Sequence, residues 1–335
     1  MPRPKGFFAL SLAATGVALF VIVLGAYTRL SDAGLGCPDW PGCYGRLVVP
    51  ETAGAIDQAN AAYPQRPVEA AKAWKEMIHR YAASSLGMLI LVLAAIAVTR
   101  RRQPDQPLAL PLLLAVLVIF QGLLGMWTVT LLLKPLIVTL HLLGGMATLS
   151  LLWWLTLRGT WRTEAIARRP ALKTLTVTAL VVTIVQIALG GWTSSNYAAV
   201  ACIGFPACNG LWWPQMDFGE GFVLWRGLGV NYEFGVLDSQ ARTAIHMAHR
   251  LGALLTFAMI AMLALRCLAS GVATYARAGA VLATVLLVQI ALGVGNVVLG
   301  LPLAVATAHN GVAGVLLLTV VTLLHLQTRV RLARG

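Results

Sequence analysis

Apolar residues come along this chain in eight long runs, about 7 to 27, 78 to 99, 108 to 129, 136 to 157, 171 to 193, 243 to 265, 276 to 299 and 303 to 326. Each is close to the roughly 20 residues with which a helix crosses about 30 Å of hydrocarbon. Lipid offers backbone polar groups no partner, so each run predicts a transmembrane helix. Polar residues collect between the runs, and two connections, 28 to 77 and 194 to 242, are long. Composition points the same way. Of 335 residues 59% are hydrophobic and 11% charged, whereas a soluble domain carries about 25% charged residues; mean hydropathy is +0.79. The expected fold class is an all-α integral membrane protein.

Charge sets the expected orientation. "MPRPK" at the start, "RRRQPD" after the second run, "RGTWRTEAIARRPALK" after the fourth, Arg266 with Arg277, and "RVRLARG" at the tail all fall on one side. By the positive-inside rule that side is cytoplasmic, with both termini, as expected of a multi-pass protein of the bacterial cytoplasmic (inner) membrane. The net charge of +13 is thus a topology signal, and no nucleic-acid partner is expected from it. The first run is too long for a signal-peptide core and no small-residue cleavage site follows it, so it is expected to stay in the mature protein.

The two long connections then lie outside, and each holds a cysteine pair six residues apart, "GCPDWPGC" with Cys37 and Cys43, "ACIGFPAC" with Cys202 and Cys208. Thiols outside a bacterial cytoplasmic membrane are oxidised, and both pairs are expected to close as intraloop disulfides. Zinc is the alternative, but no second ligand pair of finger-like spacing is near. Cys267 is expected to be a free thiol.

The clasps belong to a larger repetition. Gly25 and Gly190, Cys37 and Cys202, Cys43 and Cys208 are each 165 apart. "EMIHRY" and "HMAHRL" set His79-Arg80 over His249-Arg250 at an offset of 170. Gln121, Gly125, Thr139 and His141 match Gln289, Gly293, Thr307 and His309 at 168. The chain reads as two tandem four-helix bundles, residues 1–165 and 166–335. An even number of helices per unit makes this a parallel repeat about an axis along the membrane normal.

Four of the six histidines, His79, His141, His249 and His309, occupy matched positions on the second and fourth helix of each unit, expected within about two turns of the helix start. An imidazole in a bilayer is a functional-site hypothesis by default. Hydrogen bonding between helices is the bland alternative. Two imidazoles facing each other across a bundle are the usual axial pair for haem iron; another metal would want carboxylates or a third nitrogen at the same level. Arg29, Arg80, Arg242 and Arg250 sit at external helix ends, where guanidinium can bind haem propionates or snorkel to lipid headgroups. His246 reads as a pocket residue or alternative ligand, and His325 as an interfacial residue.

Taken together, "GAYTRLSDAGLGCPDWPGCYG", "KEMIHR", "TLHLLGG", "QIALGGWTS", "AHRLGA" and "AHNGVAG" resemble the haem A synthase family over essentially the whole chain. The resemblance implies oxidation of a haem O methyl to the formyl of haem A, through an alcohol and a hydrated aldehyde. It implies a haem O site in 1–165, with Glu76, His79 and His141 at the reacting end, and a haem b site in 166–335 held by His249 and His309. Arg80 and Arg250 would assist binding, and all four histidines would be axial ligands. A haem O synthase and cytochrome oxidase assembly factors are the partners implied, besides haem O and membrane lipid. The residues alone point to the same asymmetry: Glu76 and His246 each stand three places before a ligand histidine, and only the first half sets a carboxylate beside the porphyrin. That carboxylate could accept protons or stabilise positive charge, or simply pair with Arg80 or Arg29. A two-haem b-type electron carrier and a haem transporter or chaperone are the alternatives.

Overall fold

The computed structural model describes residues 5–103, 105–160 and 169–328. The start "MPRPK" up to Pro4, most of the basic loop after the fourth span and the tail "RVRLARG" lie outside the described residues.

Eight helices are long and apolar enough to cross a membrane, and the chain is an all-α multi-pass membrane protein. They are α1 (Lys5–Leu30), α3 (Ala70–Thr99), α4 (Ala109–Thr130), α5 (Pro135–Thr160), α6 (Pro170–Ser195), α8 (Ser239–Leu268), α9 (Ala273–Val298) and α10 (Leu303–Thr328). Two short helices, α2 (Ala53–Ala62) and α7 (Phe218–Gly221), lie in the long connections. Side-chain caps start both, Thr52 accepting from Ala55 and Asp217 from Glu220.

Two spans begin earlier than their apolar runs. α3 starts at Ala70 rather than near 78, and α8 at Ser239, where Asp238 caps it by accepting from the Ala241 N–H. Helix propensity continues through polar residues such as "AAKAWKEM" after the apolar signal has ended. His79 and His249 are therefore the tenth and eleventh residues of their helices, a turn deeper than expected, while His141 and His309 are each the seventh.

In the first half α1 and α4 each pack against both α3 and α5; in the second α6 and α9 each pack against both α8 and α10. Each ring of four has its own apolar core. Phe7, Phe8, Ala14, Ala18, Ile90, Leu93, Leu114 and Leu152 are among those that fill the first, and Ile260, Leu263, Tyr275, Leu282, Val320 and Leu323 are among those that fill the second. Both cores lie at the end remote from the cysteine clasps, so tight packing stops before the level of the four histidines. The halves meet along α1, α5, α6 and α10, where Met146, Ile187, Leu317 and Val321 are buried together and Trp153 Nε1 donates to Thr322 Oγ1 at 2.8 Å. His325 is buried here too, edge-on to Trp154 at 4.9 Å between ring centroids. His325, in the last turn of α10, is thus packed between helices rather than exposed.

At the clasp end the second connection reaches over the first half. Tyr232 N–H donates to the Leu132 carbonyl at 3.0 Å, and Arg66 pairs with Glu233 at 3.3 Å. Lys134, 2% exposed, donates to the Gly227 carbonyl and lies 3.6 Å from the centre of the Trp225 ring.

Candidate functional site

Each of the four histidines lies against a glycine of the neighbouring helix. A Cβ built on Gly25 would stand 2.8 Å from Cε1 of His79, and one on Gly125 3.4 Å from that of His141. On Gly190 it would stand 3.2 Å from His249, and on Gly293 3.1 Å from His309. Without a side chain there, the backbone of α1, α4, α6 or α9 admits the flat face or edge of an imidazole. The His79 and His141 rings lie within electrostatic range of each other, as do those of His249 and His309. All four are half-buried.

Polar atoms without partners belong to these histidines and to residues near them in sequence or contact. The Nδ1 atoms of His79, His141 and His309, the side-chain oxygens of Gln121, Gln186 and Gln289, and the hydroxyls of Thr139 and Thr307 are buried and make no hydrogen bond. Unsatisfied buried groups are rare and costly, and here they gather around facing imidazoles in both halves. Among the described residues no three His, Cys, Asp or Glu side chains converge as a metal-ion site. The donor set fits a planar group ligated from two sides by imidazole, a haem, better than a bare metal ion.

Both clasps are disulfides, Cys37–Cys43 and Cys202–Cys208, which removes zinc ligation by these cysteines. Cys267 is a free, buried thiol. Each clasp is docked on the helix that carries the first histidine of its half. The Cys37 N–H donates to Glu76 Oε2 at 2.9 Å. Arg80 binds the other Glu76 oxygen, and its remaining N–H groups go to the carbonyls of Gly42 and Pro41. Gly36 permits this closeness, for its Cβ would lie 2.6 Å from the Lys72 carbonyl carbon. Tyr44, buried beside the clasp, donates to the Pro67 carbonyl at 3.1 Å. Burial holds its pKa above the ordinary phenol value, so it stays a neutral donor.

In the second half the Cys202 N–H meets His246 Nδ1 at 3.3 Å. Arg250 donates to the carbonyls of Cys202, Gly204 and Ala207 at 3.0, 2.9 and 3.2 Å. His246 thus has a task the sequence did not disclose: it receives the clasp amide as Glu76 does. The arginines are also placed. Arg80 and Arg250 hold the clasps, Arg250 keeping a buried Nε without a partner. Arg29 donates to the Ser194 carbonyl at 2.7 Å and lies over the Tyr197 ring, and Arg242 turns back to the Asp238 carbonyl. Glu76 does form the salt bridge with Arg80.

The glutamines and glycines around the histidines have roles that spacing alone could not assign. Gln121 Nε2 donates to the His141 carbonyl at 2.9 Å. Gln186 Nε2 reaches both Nδ1 and the carbonyl of His249, each at 3.0 Å, and Gln289 Nε2 lies 3.3 Å from His309 Nε2. Gln121, Gln289 and the four glycines under the rings stood out in the sequence only as matched positions.

The chain is similar to known proteins over most of its length. A protein named Heme A synthase from Shewanella oneidensis is 48% identical over 309 residues, covering 91% of this chain and 92% of that protein. Proteins of the same name from Rhizorhabdus wittichii and Shouchella clausii are 27% identical over 338 residues, 94% of this chain and 92% of theirs, and 28% identical over 220 residues, 63% of this chain and 67% of theirs. The family model described as cytochrome oxidase assembly protein, COX15-CtaA, matches residues 9–321, nearly all of both four-helix rings, and the chain belongs to that family.

Proposed function

We propose that this protein is a haem A synthase, oxidising a methyl group of haem O to the formyl group of haem A. In this reading residues 1–165 and 166–335 are duplicated bundles in parallel orientation. The first takes haem O between His79 and His141, and the second keeps haem b between His249 and His309. The observation that carries it is the difference between two otherwise matched positions. Glu76, 4% exposed, is a carboxylate one helical turn from His79, while the corresponding residue of the second half is His246, so no carboxylate stands there.

Methyl to formyl takes two successive two-electron oxidations, so protons and electrons must leave the reacting carbon. Haem b, when bound, supplies reversible one-electron chemistry at the same depth in the twin bundle. Glu76 supplies a fixed negative charge, held by the Cys37 N–H and Arg80, where positive charge grows as the methyl is oxidised. It also offers an acceptor for a departing proton. His79 and His141 set the plane and depth of the substrate, with Gly25 and Gly125 admitting their rings. The unpartnered Nε–H of Arg250 is available to a propionate of haem b, while Arg80 serves the substrate through the clasp it holds.

The clasps face the outside of a bacterial cytoplasmic membrane and the termini the cytoplasm, as the basic clusters require. A haem O synthase is the natural supplier, and cytochrome oxidase assembly factors the natural recipients. Incubating the purified protein with haem O and analysing the pigments tests the reading. Hydroxylated haem and haem A support it, whereas unchanged haem O in a folded, haem-loaded protein would leave a two-haem electron carrier or a haem transporter.

A further inference from the structure

Around the four histidines the halves differ in what the glutamines touch. Gln186 of α6 lies with its amide nitrogen 3.0 Å from both Nδ1 and the carbonyl oxygen of His249. It fits because residue 252 is glycine: a Cβ there would come within 2.3 Å of Gln186 Oε1. Beside His79 the matched positions are Val21 and Ala82. One has no amide and the other fills its space, and His79 Nδ1 is buried without a partner.

The second histidine of each half shows the same contrast. Gln121 lies over Gly144, whose Cβ would be 2.3 Å from its oxygen. There its side-chain amide bonds the His141 carbonyl. Its counterpart Gln289 faces Val312 instead of a glycine and turns to the His309 ring. His249 thus has a glutamine side chain at Nδ1 and His309 has one at Nε2, while the Nδ1 atoms of His79, His141 and His309 are buried without a partner.

We infer that Gln186 is a positioning residue that makes His249 a retained haem ligand, and that Val21 at the matched place leaves His79 a ligand able to release its haem. This rests on haem b belonging to the C-terminal half and haem O to the N-terminal half. An imidazole that ligates iron through Nε2 carries its hydrogen on Nδ1. A hydrogen-bond partner there sets the tautomer and the ring orientation, and losing one typically costs about 10- to 100-fold in affinity. Gln186 Oε1 has no partner where it stands. A half-turn of the amide exchanges its two ends and brings that oxygen to Nδ1, giving up the bond from Nε2 to the His249 carbonyl. The His249 ring is then held by Gly190 on its edge and by Gln186 on its nitrogen. His79 rests on Gly25 but has no second restraint, so its ring can swing as product leaves. An enzyme that keeps one haem and exchanges another needs that difference.

The test uses Gln186→Val in the full-length protein carrying haem b. Transfer of haem b to excess apomyoglobin, followed in the Soret band, should become about 10- to 100-fold faster. The largest g value of the ferric low-spin signal should shift as the angle between the imidazole planes is freed. Gln186→Glu keeps an acceptor at the same place and should restore slow transfer and the original signal. The reciprocal change, Val21→Gln with Ala82→Gly, should slow haem release from the N-terminal half at least about tenfold. Unchanged transfer and an unchanged signal in folded Gln186→Val overturn the inference. If that variant does not fold, unchanged release in the reciprocal variant overturns it. The underlying assignment fails separately: a low-spin spectrum that persists in His309→Ala refutes the location of haem b, whereas its loss there with no effect of Gln186→Val refutes only the role of Gln186.

Discussion

Replacing Glu76 by Gln removes a charge, but in this structure it also disturbs a bond pattern. The carboxylate accepts from the Cys37 N–H at one oxygen and from Arg80 at the other. A glutamine offers one acceptor and one NH₂, so one of those two donors is left facing another donor. Removing one partner of a fully buried ion pair costs about 3–5 kcal/mol. Arg80 keeps the Pro41 and Gly42 carbonyls, so a loss of about 2 kcal/mol, near one charge-assisted hydrogen bond, is expected. Haem A formation should fall much further, by at least the roughly 10²-fold typical of losing a positioned acid or base. The second half supplies the control. His246 accepts the Cys202 N–H, and Arg250 donates to three clasp carbonyls with no carboxylate beside it. Glu76→His should therefore keep the clasp docked and recover stability while remaining inactive. The assay is haem A produced from haem O by pigment chromatography, run beside haem b content and thermal denaturation of each variant. Near-normal haem A production by either variant, folded and loaded with haem b, would refute a chemical role for Glu76 and leave it a clasp anchor.

Three further outcomes are expected. His309→Ala should largely abolish a low-spin b-type spectrum in the purified protein, and a normal spectrum would move the resident haem to the other half. Gly293→Val should reduce haem content in the pyridine haemochrome assay, because overpacking by about 1–3 kcal/mol would push the His309 ring off its bed; full haem content would show that the close contact is not needed for ligation. Replacing Cys202 and Cys208 together by Ser should lower stability by about 2 kcal/mol, as expected for opening a short loop, with some turnover kept; complete loss of turnover at full haem occupancy would make the cysteines redox participants.

The spans were legible because hydrocarbon thickness demands a minimum apolar run, and that demand is written residue by residue. Their starts were less so: residues 70 to 77 are helical without being apolar, and hydropathy does not see them. The four histidines could be picked out because each recurs at a matched position. The partners of Arg80 and Arg250 could not, since a guanidinium that binds propionate and one that binds backbone carbonyls leave the same mark on a sequence. The glutamines were hidden for a different reason. Whether Gln121 or Gln289 reaches a ring depends on whether Gly144 or Val312 stands opposite, and that pairing exists only once α4 is laid on α5 and α9 on α10.

What the two halves share and what they do not divides the labour between scaffold and chemistry. The glycine under each ring, the six-residue disulfide, the clasp amide bonded to the side chain three before the first histidine, and the arginine after that histidine are present twice. In the proposed function, features present in both halves belong to holding a haem at all. Matched differences near the histidines include Glu76 against His246, Ala82 against Gly252, Gly144 against Val312 and Val21 against Gln186. The first three lie within one helical turn of a histidine, and the fourth decides whether an amide reaches a ring. A buried charge is costly to maintain, and the second half shows that docking a clasp does not require one. The negative charge at Glu76 therefore has to be explained by what lies beside it in the first half and not in the second, which in the proposed function is the haem that is to be changed.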